Sequence, residues 1–218
     1  MTVAPEELTK DGIWISPATP PRAPRPVPGL LLDRDGVLVK EVNYLHRRQD
    51  VEIAPGAAAL LRWAAQMGLP VAVVTNQAGI ARGMFGWDAF AEVQDEITAR
   101  LADEGAHLDL TIACPFHPEH SPGWGAAHAH WRKPGPGMLQ QTRDLLNLDL
   151  SRSWMVGDNE SDIAAAKAAG LAGAVHVLTG HGAIFRDCAL ALAHEKFQVM
   201  AAPDLNRALP ILKAAFAA

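Results

Sequence analysis

Between Gly29 and Gly180 the chain repeats one pattern: a short, unbroken apolar run, then a longer segment of helical periodicity. The runs are GLLL (29–32), PVAVVTN (70–76), LDLTIAC (108–114), SWMVGD (153–158) and AVHVLTG (174–180), with a sixth candidate in KFQVMAAPDL (196–205). The segments 55–68, 87–105, 134–149 and 160–170 space their apolar residues as a helix does, and Gly68 and Gly170 supply stop signals. Runs that are apolar throughout, rather than alternating, have both faces buried. Strands of that kind alternating with helices predict an α/β fold: a three-layer, Rossmann-like, doubly wound parallel sheet. In such a sheet the ligand crevice lies outside the carboxyl ends of the strands.

Residues 1–28 read differently. SPATPPRAPRPVPG holds six prolines between Pro17 and Pro28. Proline fixes φ and removes a donor, so neither a helix nor a central strand forms there. The stretch reads as an extended arm over a domain at 29–218, with Trp14, between Ile13 and Ile15, as its anchor; a disordered tail is the alternative reading. The 218 residues suit one domain, and a net charge of −5 gives no sign of a nucleic-acid surface. No run of 18 apolar residues and no secretory leader is evident, and two cysteines are too few for a disulfide scaffold. A cytoplasmic, monomeric protein with neither a membrane nor a nucleic-acid partner is therefore expected.

The charged residues gather at the predicted strand ends. Asp33 and Asp35 follow the first strand, Thr75 and Asn76 end the second, and Asp158 ends the fourth. Gly36 lets the backbone turn at once after the paired aspartates. Clustered carboxylates repel unless a cation joins them. Few ligands, all of them oxygen, suit Mg²⁺, which in turn attracts phosphate. The plainer reading has these aspartates capping helices and pairing with Arg34 and Lys133.

DRDGV, VVTNQ, the lysine of RKPGPGM and VGDNESD resemble, in order, the four motifs of the haloacid dehalogenase (HAD)-like phosphohydrolases, over about 29–180. LDRDG, TNQAGIARGMF and RKPGPGML look most like the D,D-heptose 1,7-bisphosphate phosphatase branch with its histidinol-phosphate phosphatase relatives. The resemblance implies a HAD-like sheet and a Mg²⁺-dependent phosphomonoesterase. Asp33 would be the nucleophile and Asp35 the general acid and then base. Thr75 and Lys133 would stabilise the phosphoryl group, and Asp33, the Asp35 carbonyl and Asp158 would hold the metal. Asp162 would orient Lys133 or the metal shell, or simply be a helix first-turn acid. Substrate contacts implied are Glu41, Asn43 and Tyr44 in a flap, and Asn76, Gln77, Arg132 and Asn159, with Arg132 suited to a second phosphate of a small sugar. Gaps of 40 residues from Asp35 to Thr75 and 58 from Thr75 to Lys133 hold no large cap domain. Histidinol phosphate or another small sugar phosphate is the alternative substrate. A receiver-like phospho-acceptor module is the alternative of another class, although it lacks an acid two residues after its acceptor.

One loop departs from the branch. CPFHPEHSPGWGAAHAHWRKP (114–134) keeps Cys114 but has Phe116, Ala129 and Trp131 at the other three positions of the branch's structural zinc. A shifted set, Cys114, His117, His128 and His130, offers a thiolate and three imidazoles to Zn²⁺, with His120 as a fifth candidate. The rival reading is a metal-free loop ordered by Trp124 and Trp131.

Overall fold

The computed structural model describes residues 7–19 and 25–217. In chain order the elements are β1 (Trp14–Ile15), β2 (Leu30–Leu32), α1 (Ala57–Gln66), β3 (Val71–Asn76), α2 (Ala78–Ala81), α3 (Trp87–Asp103), β4 (Leu110–Cys114), α4 (Ala126–Trp131), α5 (Gly137–Leu146), β5 (Trp154–Gly157), α6 (Glu160–Ala169), β6 (Gly173–Val177), α7 (Gly182–Leu190), β7 (Gln198–Ala202) and α8 (Leu205–Ala217). The strands form one sheet in the order β1-β4-β3-β2-β5-β6-β7. From β2 to β7 the pairs are parallel; β1 joins β4 antiparallel at one edge. The α/β class and the parallel sheet follow the sequence reading, and all six apolar runs become strands β2–β7.

The unbroken runs are explained by what lies on each face. Leu30 and Leu32 join a core under α1, α3 and α8, whereas Leu31 joins the opposite core under α5, α6 and α7. Val73 and Ala72 divide the same way, as do Val156 and Met155. All three leucines of β2 are fully buried, and burial of each contributes roughly 1.5–3 kcal/mol.

The chain enters at the centre on β2, runs outward through β3 and β4, then returns to lay β5 against the other side of β2. Winding therefore reverses between β2 and β5, which opens a crevice at their carboxyl ends. Asp33 and Asp158 stand at those two ends, and the Asp33 amide extends the ladder by donating to the Val156 carbonyl at 2.9 Å.

Helices α2, α4 and α7 were not anticipated from the sequence. At the other end of the chain, Trp14 pairs with Ala113, is 3 % exposed and meets the Phe90 ring edge-on at 5.1 Å. Ser16 and Thr19 continue along this edge, donating to the carbonyls of Thr111 and Asp109. The arm reading of 1–28 falls partly on residues 1–6 and 20–24, outside the described ones. Among the described residues no helix is long and apolar enough to cross a membrane.

Candidate active site

A cavity of about 520 Å³ lies at the carboxyl ends of β2, β3 and β5. Its floor is a buried lysine with three acceptors. Lys133 Nζ donates to Asp33 Oδ1 at 2.8 Å, to the Val74 carbonyl at 2.7 Å, and contacts Asp162 Oδ1 at 2.7 Å. An ammonium has three donors, and all are used. Burial works against its charge, but the Asp162 and Asp33 carboxylates overcome that and hold Lys133 above the usual lysine range.

The backbone that carries Lys133 is fixed by Asn76. The Asn76 side chain donates to the Lys133 carbonyl at 3.0 Å and accepts from the Lys133 amide at 3.1 Å. Gln77, 4 % exposed, spends its side-chain amine on Asp35 Oδ2 at 2.9 Å and Thr75 Oγ1 at 2.8 Å. Both residues line the cavity. The Asn76 amide thus braces the Lys133 backbone, and the Gln77 side-chain nitrogen links Asp35 to Thr75. Because Thr75 Oγ1 accepts from Gln77, its own proton is left to donate elsewhere.

Asp35 has a second tie. Arg34, fully buried, donates to both of its carboxylate oxygens at 3.1 Å and lies 5.0 Å over the Phe90 ring. The plainer reading of the sequence, aspartates paired with Arg34 and Lys133, is thus present within the cluster itself.

Asp33, Asp158 and Asp162 each bring a carboxylate oxygen within 4.8 Å of the others. Asp162 is already spoken for: one oxygen meets Lys133, and the other accepts from the Asn159 amide at 3.0 Å. Asn159 Oδ1 in turn accepts from the Ser161 amide at 3.0 Å, completing a capping box on α6. Asp162 therefore both orients Lys133 and acts as a first-turn acid. Asp158 Oδ2 accepts from the His181 amide at 2.7 Å. Burial raises the Asp33 carboxyl well above the ordinary range; Lys133 opposes this, and Asp162 and Asp158 add to it. Burial, reinforced by Asp162, pushes Asp158 up to about 7. Three carboxylates around one ammonium leave surplus negative charge on hard oxygen donors in a buried place. That donor set fits a small divalent cation such as Mg²⁺.

Glu41, Asn43 and Tyr44 form the flap side of the cavity and Arg132 its rim. Asn43 and Tyr44 both have positive φ, at 53° and 69°, a conformation asparagine tolerates and tyrosine rarely adopts. Glu41 Oε1 supports it by accepting from the Asn43 amide at 2.6 Å. Arg132 is pinned by the Phe116 carbonyl at 2.8 Å. The sequence reading missed the His181 amide, and it placed His117, which lines the cavity, in the zinc loop instead.

The shifted zinc set is not assembled. Among the described residues the two groups close enough to hold a metal are the aspartates above and His117, Glu119 and His120; neither includes Cys114, His128 or His130. Cys114 is buried in the sheet, and burial pushes its thiol up to about 11. His128 packs edge-on against Phe116 at 4.3 Å and stacks on Trp124 at 5.9 Å, while His117 faces Arg82 at 3.3 Å.

Comparison with known proteins agrees with this geometry. A HAD-hydrolase-like family model matches residues 130–205. A D-glycero-β-D-manno-heptose-1,7-bisphosphate 7-phosphatase of Mesorhizobium japonicum is 42 % identical over 172 residues, covering 78 % of this chain and 79 % of its own. Among solved structures, a HAD-like phosphatase from Mesorhizobium loti superposes with a TM-score of 0.81 at 34 % identity, covering 96 % of this chain and 95 % of its own. The D,D-heptose 1,7-bisphosphate phosphatase of B. bronchiseptica, complexed with magnesium and phosphate, gives 0.71 at 29 % identity, covering 85 % and 98 %. Strand-end carboxylates and a buried lysine meet in one cavity, and a 42 % identical relative spans most of both chains, so the protein belongs to the HAD-like phosphatases, phosphoric monoester hydrolases, in the heptose-1,7-bisphosphate 7-phosphatase family.

Proposed function

We propose that this enzyme removes the 7-phosphate of D-glycero-β-D-manno-heptose 1,7-bisphosphate in a Mg²⁺-dependent reaction. The observation that carries the reading is the meeting of Asp33, Asp158, Lys133 and the Thr75–Gln77–Asp35 chain on one cavity floor, with Arg132 at the rim.

Asp33 attacks phosphorus in line and forms an aspartyl phosphate as the sugar alkoxide leaves. Asp35 gives that alkoxide its proton, then takes one from the water that cleaves the intermediate. Gln77 and Arg34 set the direction of the Asp35 carboxylate for both steps. Thr75 donates to a phosphoryl oxygen, and Lys133 offsets charge shared by Asp33 and the phosphoryl group. Asp33, Asp158 and the Asp35 main-chain carbonyl would hold Mg²⁺, because the Asp35 side chain is engaged elsewhere. Bound there, the ion lowers the repulsion between an anionic nucleophile and an anionic substrate. The Arg132 guanidinium suits the distal phosphate of a bisphosphate.

The test is steady-state phosphate release with Mg²⁺ from the heptose bisphosphate, histidinol phosphate and a generic aryl phosphate. The expected result is a kcat/KM for the bisphosphate at least tenfold above both others, the 7-phosphate being lost. Preference for histidinol phosphate would overturn the substrate assignment, and no turnover of any ester would overturn the hydrolase reading.

A further inference from the structure

The turn that follows β6, Thr179-Gly180-His181-Gly182, belongs to none of the four motifs, yet it touches the acidic cluster twice. Its His181 amide donates to Asp158 Oδ2 at 2.7 Å. Its Thr179 hydroxyl donates to the Gly36 carbonyl at 2.5 Å, on the residue after Asp35. Between these contacts Gly180 and Gly36 meet backbone to backbone. A Cβ built on Gly180 would come within 2.2 Å of Asp158 Oδ2 and 2.8 Å of Gly36 Cα, and Gly180 has φ +55°. No side chain larger than hydrogen fits there.

The turn is itself braced from beneath. Gly182 donates its amide to the Thr179 carbonyl at 2.8 Å. The Gly182 carbonyl lies 2.8 Å from Nε2 of His176, a fully buried histidine on β6. A carbonyl only accepts, so Nε2 carries the proton in this contact. The other ring nitrogen, Nδ1, is buried without a partner. A polar ring kept among apolar neighbours for a single hydrogen bond points to that bond as its purpose.

We infer that the Thr179–Gly182 turn is a wall of the divalent-ion site, and that Thr179 and His176 are positioning residues for it. The inference rests on the Mg²⁺ reading above. One turn engages both places from which the ion would be held: the Asp158 carboxylate and the Asp35–Gly36 backbone. By occupying Asp158 Oδ2 from one side, the His181 amide fixes the carboxylate's rotation and leaves Oδ1 to a cation. Thr179 sets the distance between the turn and the Asp35–Gly36 backbone, and His176 keeps the turn from lifting. Partners of this kind, one bond removed from a metal ligand, change affinity roughly 10- to 100-fold when lost.

The experiment is isothermal titration of Mg²⁺ alone into wild-type protein and into Thr179→Val, Thr179→Ser, His176→Leu and His176→Gln, with thermal melts alongside. Thr179→Val and His176→Leu are expected to bind Mg²⁺ roughly tenfold more weakly. Thr179→Ser keeps the hydroxyl and His176→Gln keeps an N–H donor, and both are expected to bind within about twofold of wild type. Wild-type affinity in folded Thr179→Val and His176→Leu, even with a lowered Tm, would overturn the inference while leaving the metal site standing. Wild-type protein that takes up no Mg²⁺ would overturn the metal site itself. The two positions lie on different elements, so a His176 variant that failed to fold would leave Thr179 to decide.

Discussion

Replacing Asp158 by asparagine should stabilise the metal-free enzyme at pH 8 and leave it unchanged at pH 4. The Asp158 carboxyl is raised from 3.8 to about 7 by burial and by Asp162. A raised carboxyl binds its proton more tightly folded than unfolded. Its contribution to stability is whole below the unfolded value and is lost as pH rises toward the folded one. Three units at 1.36 kcal/mol each correspond to about 4 kcal/mol. Burial is the larger cause and Asp162 the second, and the two carboxyls titrate together, so roughly half of that is assigned to Asp158 alone. Asparagine carries no charge at any pH and can still accept from the His181 amide. At about 2–4 °C per kcal/mol for a domain this size, the variant should melt roughly 4–8 °C higher at pH 8 in chelator. Differential scanning calorimetry at the two pH values measures it. Added Mg²⁺ should close the gap by stabilising the wild type alone. A variant that melts no higher at pH 8, or gains as much at pH 4, would refute the idea that ionising Asp158 is costly in the fold.

Asp33→Asn should abolish phosphate release, by at least 10³-fold, while the far-ultraviolet circular dichroism stays that of the wild type; near-normal turnover would remove Asp33 as nucleophile. Protein purified without a histidine tag should contain far less than one equivalent of zinc by elemental analysis, because Cys114 and the three histidines are apart; a full equivalent would reverse that conclusion. Trp14→Ala should cost about 3–5 kcal/mol in urea unfolding, since the ring is buried against Phe90 at the edge of the sheet; a loss under 1 kcal/mol would mean that edge folds without it.

The fold and the chemistry were legible to different depths. The central strands announced themselves because a strand buried on both faces carries few polar residues, as Leu30–Leu32 and Val71–Val74 show. Asp33, Asp35, Thr75 and Asp158 were legible because polar residues at the ends of such runs need a reason, and Lys133 only through the resemblance of RKPGPGM to a family motif. Helix α7 was not, since GAIFRDCAL exposes Ile184 and carries few buried residues to set a period. Asn76 and Gln77 could be placed at the cavity, but which way their side chains turn depends on Lys133 and Asp35, 57 and 42 residues away. The zinc set failed for a similar reason. Spacing in a loop says which side chains are near in sequence, while Phe116 and Trp124 decided that His128 should pack as an aromatic ring.

Strand β2 is only three residues long, yet it lies at the middle of the sheet and is bonded along both edges, Leu30 to Val71 and Trp154, Leu32 to Val73 and Val156. The reactive carboxylate thus takes its coordinates from neighbours on either side and little from its own segment. The sheet fixes where that carboxylate starts, and the loops that carry substrate contacts stand outside the ladder. A lineage built on this plan can change what it recognises while its chemistry stays where it was.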